Sequence, residues 1–549
     1  MPILGTQSSR SGGTPTAPTS VSATAGNMQA TVTFTASTYT GKGSVTYTAI
    51  SSPGGFTATG TSPITVTGLT NGTAYTFTVR ATSSTGETAT SSASASVTPV
   101  APEFMARVSN SVNFDMNIQG ATVDSSGNIY TVGYRQTDMY TQKYAFITKH
   151  SADGTLLWQK QLARYLDAQN RRVAWGRSVW VDSSGNVYVN ASEVPANDNY
   201  SYQHFLLTKF DSSGNTTWQK LYNGPADGGG TPQHFINYSN AGDSSGNIYY
   251  AGEITDTGTQ NSDYSLTKVG TDGTHAWTYY YAYTGDQGSG NAFRYMATDS
   301  SGVPHATGYY FTQTLISKGN YAYHQTWNVI KFTTAGAISW ARKFYDYSYY
   351  NVSEGMAIDS SGNVYTVGYS NKTGAYQLHL VKHDSTGALQ WQRRLTTSGT
   401  PSYGTRVSCD SSGNVYVLGG ETVTSSAILL KYNSSGTIQW QRKIVANASG
   451  MQRYDLYVSG TSLVIAGNFT NGSYYNGYVI KVPTDGSKTG TYTVGGISYV
   501  YSTPSHTEDA GNMSEASESL SQSSARSITT STGASTIEAG ALTVATTSI

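Results

Sequence analysis

Carboxylates and aromatic rings are the side chains with which this chain could act on a ligand or hold one. Glu193, Glu253, Glu354 and Glu421 lie in segments of variable length. Two carboxyl groups roughly 5–10 Å apart can protonate and attack a glycosidic bond, but spacing sets no pair here apart from ordinary surface acids. The nine histidines are scattered without the intervals of a metal site. The recurrent Asp-Ser-Ser-Gly-Asn run lacks the acidic density of a calcium loop. Neither catalysis nor a metal or cofactor is expected. Cys409, the single cysteine, reads as a small core residue beside a turn. Aromatics are more suggestive. Tyr140, Trp175, Tyr200, Tyr202, Tyr281, Tyr323, Trp327 and Tyr347 fall in or beside the longest connections. Rigid amphipathic rings there suit weak recognition of glycans or proteins. Loop packing is the plainer reading of the same residues.

The elements that must position them are marked by repetition. A lysine is followed nine positions later by a tryptophan at Lys149/Trp158, Lys209/Trp218, Lys268/Trp277, Lys331/Trp340, Lys382/Trp391 and Lys431/Trp440. Lys481 keeps the interval but meets Gly490. Asp-Ser-Ser-Gly-Asn recurs from Asp124, Asp182, Asp243, Asp359 and Asp410, with a weaker copy from Asp299 and a worn one around Ser459–Gly467. A period near 50–60 residues marks an array of supersecondary units. Each unit divides into four strands joined by turns in which Asp and Ser accept backbone hydrogen bonds and Gly takes positive φ. The tryptophans are expected to wedge between neighbouring units. The lysines are expected to lie exposed or to pair with turn carboxylates. Trp340 and Trp391 precede the next aspartate by 19 residues, and the same count back from Asp124 lands on Met105. Met105–Val108 is therefore expected to supply the outer strand of the last unit, which removes an open edge.

Composition bounds the rest. Charged residues are 12% of the chain, and Lys+Arg equals Asp+Glu at 32 each, so no net field draws nucleic acid. No apolar run is long enough to span a membrane, and the first residues lack the pattern of a secretory signal. An arm occupies 1–16, and residues 17–99 alternate apolar and polar residues as a β-sandwich does. The array covers 103–495. From 501 to 549 Ser, Thr and Ala dominate. Such a segment buries too little surface alone to offset its chain entropy, and is expected to be disordered or ordered by a partner or another copy.

Leu69-Thr-Asn-Gly-Thr-Ala-Tyr75 resembles the tyrosine corner of a fibronectin type III domain, which implies a hydrogen bond between the Tyr75 hydroxyl and backbone a few residues upstream. The Asp-Ser-Ser-Gly-Asn units resemble bacterial and viral β-propeller repeats. Turns such as Asp211–Trp218 also look like the tryptophan-docking repeat of quinoprotein propellers. The fold implied is all-β: a fibronectin type III-like sandwich, a seven-bladed β-propeller and a low-complexity tail. The turns differ from the Asp box of sialidases, in which two residues, not three, separate Gly from Trp. Taken with the Met-Pro-Ile-Leu-Gly start and Tyr39-Thr-Gly-Lys-Gly, the whole is similar to structural proteins of tailed bacteriophages. That resemblance implies a non-enzymatic virion protein of tail fibre, receptor-binding or decoration type. Such a protein is made in the host cytoplasm, present in several copies, and in contact with other virion proteins and host-surface glycan. A bacterial extracellular polysaccharide-binding propeller is the alternative, and a glycan hydrolase a more distant one.

Overall fold

The computed structural model describes residues 13–548 apart from 42, 101–102, 111–114, 137–142, 163–173, 195–202, 224–233, 256–261, 284–290, 318–319, 346–349, 372–373, 397–399, 422–425, 447–448, 472–473, 495–496, 505, 511–513, 518–519, 523–528, 533–536 and 540–541. The described elements are all strands, and the chain divides into two compact units, Met1–Pro102 and Glu103–Ile549.

The first unit has two antiparallel sheets. One is ordered Thr19–Gly26, Gln29–Thr35, Ile64–Thr67. The other runs Thr57–Gly60, Val45–Ser52, Thr76–Ser83, Thr88–Thr90. Period-two alternation buries Ala30, Val32, Phe34, Ile64, Val66, Phe77 and Val79 in one core. Tyr75 is buried with them, and its hydroxyl accepts the Thr70 N–H at 3.1 Å. A loop amide is thereby satisfied as the corner motif implies.

In the second unit, sheets one to six each take four consecutive strands as an antiparallel meander. Those of repeat one are Met116–Val123, Ile129–Gln136, Lys143–His150 and Leu156–Leu162. The first strands of the next six repeats are Ala174–Val181, His234–Gly242, Ala292–Thr298, Asn351–Ile358, Ser402–Cys409 and Ser449–Ser459. Asp124 shows why the turn sequence recurs. Its Oδ1 accepts the Ser126 and Asn128 amides at 2.9 Å, and its Oδ2 accepts the Asn128 side-chain amide at 2.8 Å and the Tyr130 hydroxyl at 3.0 Å. Asp182, Asp243, Asp359 and Asp410 are engaged in the same way. These carboxylates fasten turns.

The seventh sheet takes its fourth strand, Phe104–Asn110, from the beginning of the unit. That strand pairs with Tyr474–Pro483, Met105 opposite Ile480 and Phe104 opposite Lys481. The first strand of repeat seven packs on that of repeat one, and the Asn468 side-chain amide donates to the Ile118 carbonyl at 2.9 Å. The expected closing strand is present, with Met105 fully buried. The residue standing in for tryptophan is instead Phe104, which faces Lys481 as Trp158 faces Lys149. Phe104 lies 20 residues before Asp124, because the connection there is one residue longer than the one counted.

The Ser/Thr/Ala-rich segment departs most from expectation, because it pairs with its own chain. After Gly490–Val494 and Ile497–Ser502 extend repeat six, the chain runs back along the array. Thr507–Ala510 pairs with the fourth strand of repeat five, Ser514–Ser517 with that of four, Leu520–Gln522 with that of three, Thr529–Thr532 with that of two, and Ile537–Ala539 with that of one. Leu542–Ser548 then pairs with the closing strand Phe104–Asn110. Sparse hydrophobicity suffices here because backbone ladders, not a separate core, hold the segment.

Candidate functional site: where the first strands meet

The repeated lysine and tryptophan serve the boundaries between repeats. The half-buried indole of Trp158 covers the turn of the next repeat. A Cβ on Gly214 would stand 2.8 Å from the ring, and the Trp158 Nε1–H donates to the Ser212 carbonyl at 3.3 Å. Trp218, Trp340, Trp391 and Trp440 donate likewise to Thr271, Ser385, Ser434 and Thr484. Trp277 covers Gly336, and Phe104 covers Gly154 across the seventh boundary. The lysines are not an exposed ladder. Lys149 Nζ donates to the same Ser212 carbonyl at 3.0 Å while lying 5.3 Å over the Tyr130 ring. Lys481 reaches Ala152 across the closure at 2.9 Å. Only Lys331 shows the expected turn carboxylate, Asp299 at 3.4 Å, among the described pairs. Cys409 packs against the core of repeats five and six, and burial pushes its thiol far up from its ordinary value.

The chain is poor in charge, yet charge gathers where the seven first strands meet. Each first strand skips one residue in its pairing with the second, at Gln119, Arg177, Tyr238, Arg294, Glu354, Thr405 and Tyr454. Such a bulge re-aims the extra residue. Gly133, opposite the first bulge, permits it: a Cβ there would lie 1.9 Å from the Asn117 carbonyl oxygen. Each skipped residue stands five positions before the turn aspartate or, in repeat seven, before Ser459.

The resulting cluster is tightly bonded. Arg406 Nε donates to Asp455 Oδ1 at 2.9 Å, a terminal nitrogen donates to the Glu354 carbonyl at 2.7 Å, and the guanidinium lies 4.7 Å over Tyr295. Asp455 also accepts the Ala121 N–H. Arg294 lies 4.7 Å over Tyr238 and donates to the Tyr309 hydroxyl. Arg177 donates to Ser192 at 3.1 Å, and the Tyr238 hydroxyl donates to Glu253 at 2.9 Å. Burial raises the Glu354 and Asp455 carboxyls. Arg294 and Arg406 oppose the rise at Glu354, and Arg406 opposes it at Asp455. Gln119, Arg177, Tyr238, Tyr295, Arg406 and Asp455 line a cavity of about 30 Å³, room for a water molecule or two and too little for a sugar ring. The arrangement can tie seven sheets together. Arg406 and Asp455 are spent on one another.

The aromatic set divides. Tyr281 and Trp327 are not loop residues but fully buried in strands His275–Tyr283 and Asn320–Phe332. The Tyr281 hydroxyl donates to the Gly336 carbonyl of the next repeat at 2.6 Å, and Trp327 packs on Phe344 with centroids 5.8 Å apart. Neither ring is open to a ligand. Tyr323 lies in the same long hairpin as Trp327, its backbone opposite Gln313. What looked like a long loop in repeat four is a pair of extended strands. Trp175 is half-buried, with Lys143 5.6 Å and Arg177 5.8 Å over its ring. Tyr140, Tyr200, Tyr202 and Tyr347 lie outside the described residues. Of the acids, Glu193 and Glu421 are buried rather than displayed. Glu421 accepts Lys443 at 2.6 Å and lies 3.2 Å from His506 Nε2, which fixes the start of the returning segment. Glu253 and Glu354 belong to the cluster at the first strands.

No protein-family model matches the chain, and no curated protein does. Among solved structures it is similar to rhamnogalacturonan lyase YesW at 12% identity and TM-score 0.34, over 84% of this chain and 89% of that one. It is similar to a luciferin-regenerating enzyme at 10% identity and TM-score 0.31, over 68% and 94%. Regucalcin from Agrobacterium tumefaciens is similar at 10% identity and TM-score 0.26, over 69% and 94%. Likeness at this level fixes neither fold nor role for this chain.

Proposed function

We propose that this chain is a non-enzymatic structural protein of a tailed-phage particle, of tail fibre, receptor-binding or decoration type. In this reading the first unit is a fibronectin type III-like sandwich and the second a seven-bladed β-propeller. Support for the propeller comes from six four-stranded meanders, a seventh completed by the opening strand of the unit, and packing of that seventh on the first. The observation that carries the particle reading is the returning segment, which lays a strand along the outer edge of each sheet. Open edges invite pairing with other chains. Ending each sheet in a strand of only 3–7 residues blunts such pairing, which suits a protein displayed at high local concentration on a shared surface. Glu253, Glu421 and Asp455 support a structural role, since each is bonded within the chain, to Tyr238, Lys443 and Arg406. The variable connections, Trp175 among them, would meet host-surface glycan, and the remaining surface other virion proteins.

The test is location. Particles banded on a density gradient from a lysate of the source are probed with antibody to Glu103–Ile549, by immunoblot and by gold labelling in the electron microscope. The chain is expected in the particle band, with gold on tail or capsid. Recovery only from the cell envelope or medium would overturn the reading in favour of an extracellular polysaccharide-binding protein.

A further inference from the structure

On the side of the glycine turns, the groove between repeats two and three is an open recess of about 480 Å³ lined by Trp180, Asp182, Ser184, Lys209, Asp243 and Ser245, among others. That volume is in the range of small-ligand pockets. Two departures from the repeat pattern shape it side by side. Trp180 stands two positions before the turn aspartate, where repeats one and three to six carry Thr122, Ala241, Ala297, Ala357 and Ser408. Gly242 stands directly before Asp243, where repeats one, two, four, five and six carry Val123, Val181, Thr298, Ile358 and Cys409. The pair fit together: a Cβ on Gly242 would stand 2.2 Å from the indole.

Trp180 differs from the docking tryptophans in one further respect. Five of those donate their Nε1–H to a turn carbonyl. Trp180 packs on Tyr188 with centroids 5.2 Å apart, and its Nε1–H has no protein acceptor among the described residues. Ser184 and Ser245 are exposed at the rim, while the Asp182 and Asp243 carboxylates beneath them are held by their own turns and Lys209 by the Thr271 carbonyl. A half-buried indole surface, one N–H donor and a rim of serine hydroxyls match the two sides of a pyranose. Its C–H face covers a ring, and its hydroxyls both donate and accept. We propose that the groove between repeats two and three, floored by Trp180 and Gly242, binds a neutral saccharide. The site lies on the face opposite the variable connections and does not depend on how those are read.

The chain labelled with 5-fluorotryptophan gives one fluorine resonance for each of nine tryptophans, and Trp180→Phe identifies that of Trp180. Maltose, cellobiose, lactose and chitobiose are titrated in turn. At least one is expected to move the Trp180 resonance saturably while those of Trp158 and Trp391 stay in place. Ser245→Arg, which fills the groove from its rim, is expected to abolish the shift and leave the other resonances unchanged. Should Trp180→Phe fail to fold, a single saturable shift lost in Ser245→Arg still supports the site. The proposal is overturned if none of the four sugars moves Trp180, or if its shift survives in Ser245→Arg. Movement of Trp175 alone would also overturn it, while favouring glycan contact at the variable connections.

Discussion

Trp391→Ala removes an indole that covers Gly436, donates its Nε1–H to the Ser434 carbonyl at 3.3 Å and lies 5.2 Å beneath the Arg393 guanidinium. Deleting a fully buried tryptophan costs about 3–5 kcal/mol. Trp391 is half-buried, which lowers the expectation to about 2–3 kcal/mol. Gly436→Ala attacks the same contact from the other side. Its new Cβ would stand 2.9 Å from indole carbons, at a residue whose φ is 78°. Left-handed strain costs about 1–2 kcal/mol, and forced overlap in a packed site adds about 1–2 kcal/mol more. With the indole already gone, the overlap with it vanishes, leaving the strain and a 2.9 Å approach to the end of the flexible Arg393 side chain, which can move aside. The double variant should therefore be about 1–2 kcal/mol less destabilised than the sum of the single changes. Equilibrium urea unfolding of the four proteins, followed by circular dichroism, measures that coupling. Additivity within about 0.5 kcal/mol would refute the claim that the indole spans the boundary between repeats.

Removing residues 505–549 should uncover the outer strands of repeats one to five and the closing strand Phe104–Asn110. Sedimentation is expected to show self-association, and hydrogen exchange faster amides in those strands; unchanged mass and protection would contradict the pairing. Burial pushes His150 down to about 4. The unfolded chain takes up that proton near pH 6.5 and the folded chain does not. The His150 contribution is therefore complete above pH 6.5 and is lost as pH falls toward 4, by about 2–3 kcal/mol at pH 4.5. Urea midpoints at pH 7 and 4.5 should differ less in His150→Gln than in the parent, and equal losses would count against the buried neutral imidazole.

The turn and docking chemistry was legible because it is local and recurs. Asp124 and its copies bond residues two to six positions away, and a nine-residue interval sets each lysine opposite its tryptophan across one hairpin. Phe104 was missed by one position because the count ran across a connection of variable length, whereas pairing with Lys481 would have found it. Tyr281 and Trp327 deceived for a related reason. Dense tyrosine reads as loop, yet both faces of a strand wedged between neighbouring sheets are buried. The bulge residues were legible in principle. Aligning the seven repeats on the turn aspartate puts Gln119, Arg177, Tyr238, Arg294, Glu354, Thr405 and Tyr454 in one column, conspicuous for charge in a charge-poor chain. The returning segment was not legible, because polar edge pairing leaves no hydrophobic period to read.

The direction of that segment has a consequence for synthesis. It revisits the sheets in reverse, from the sixth to the first, and reaches the seventh last, where Leu542–Ser548 lies along the closing strand. A ribosome therefore finishes every sheet before the first of these covers is released, and a product halted anywhere before Leu542 still bears at least one raw flank. Premature termination is thus marked on the outside of the molecule, where proteases and quality-control factors can find it.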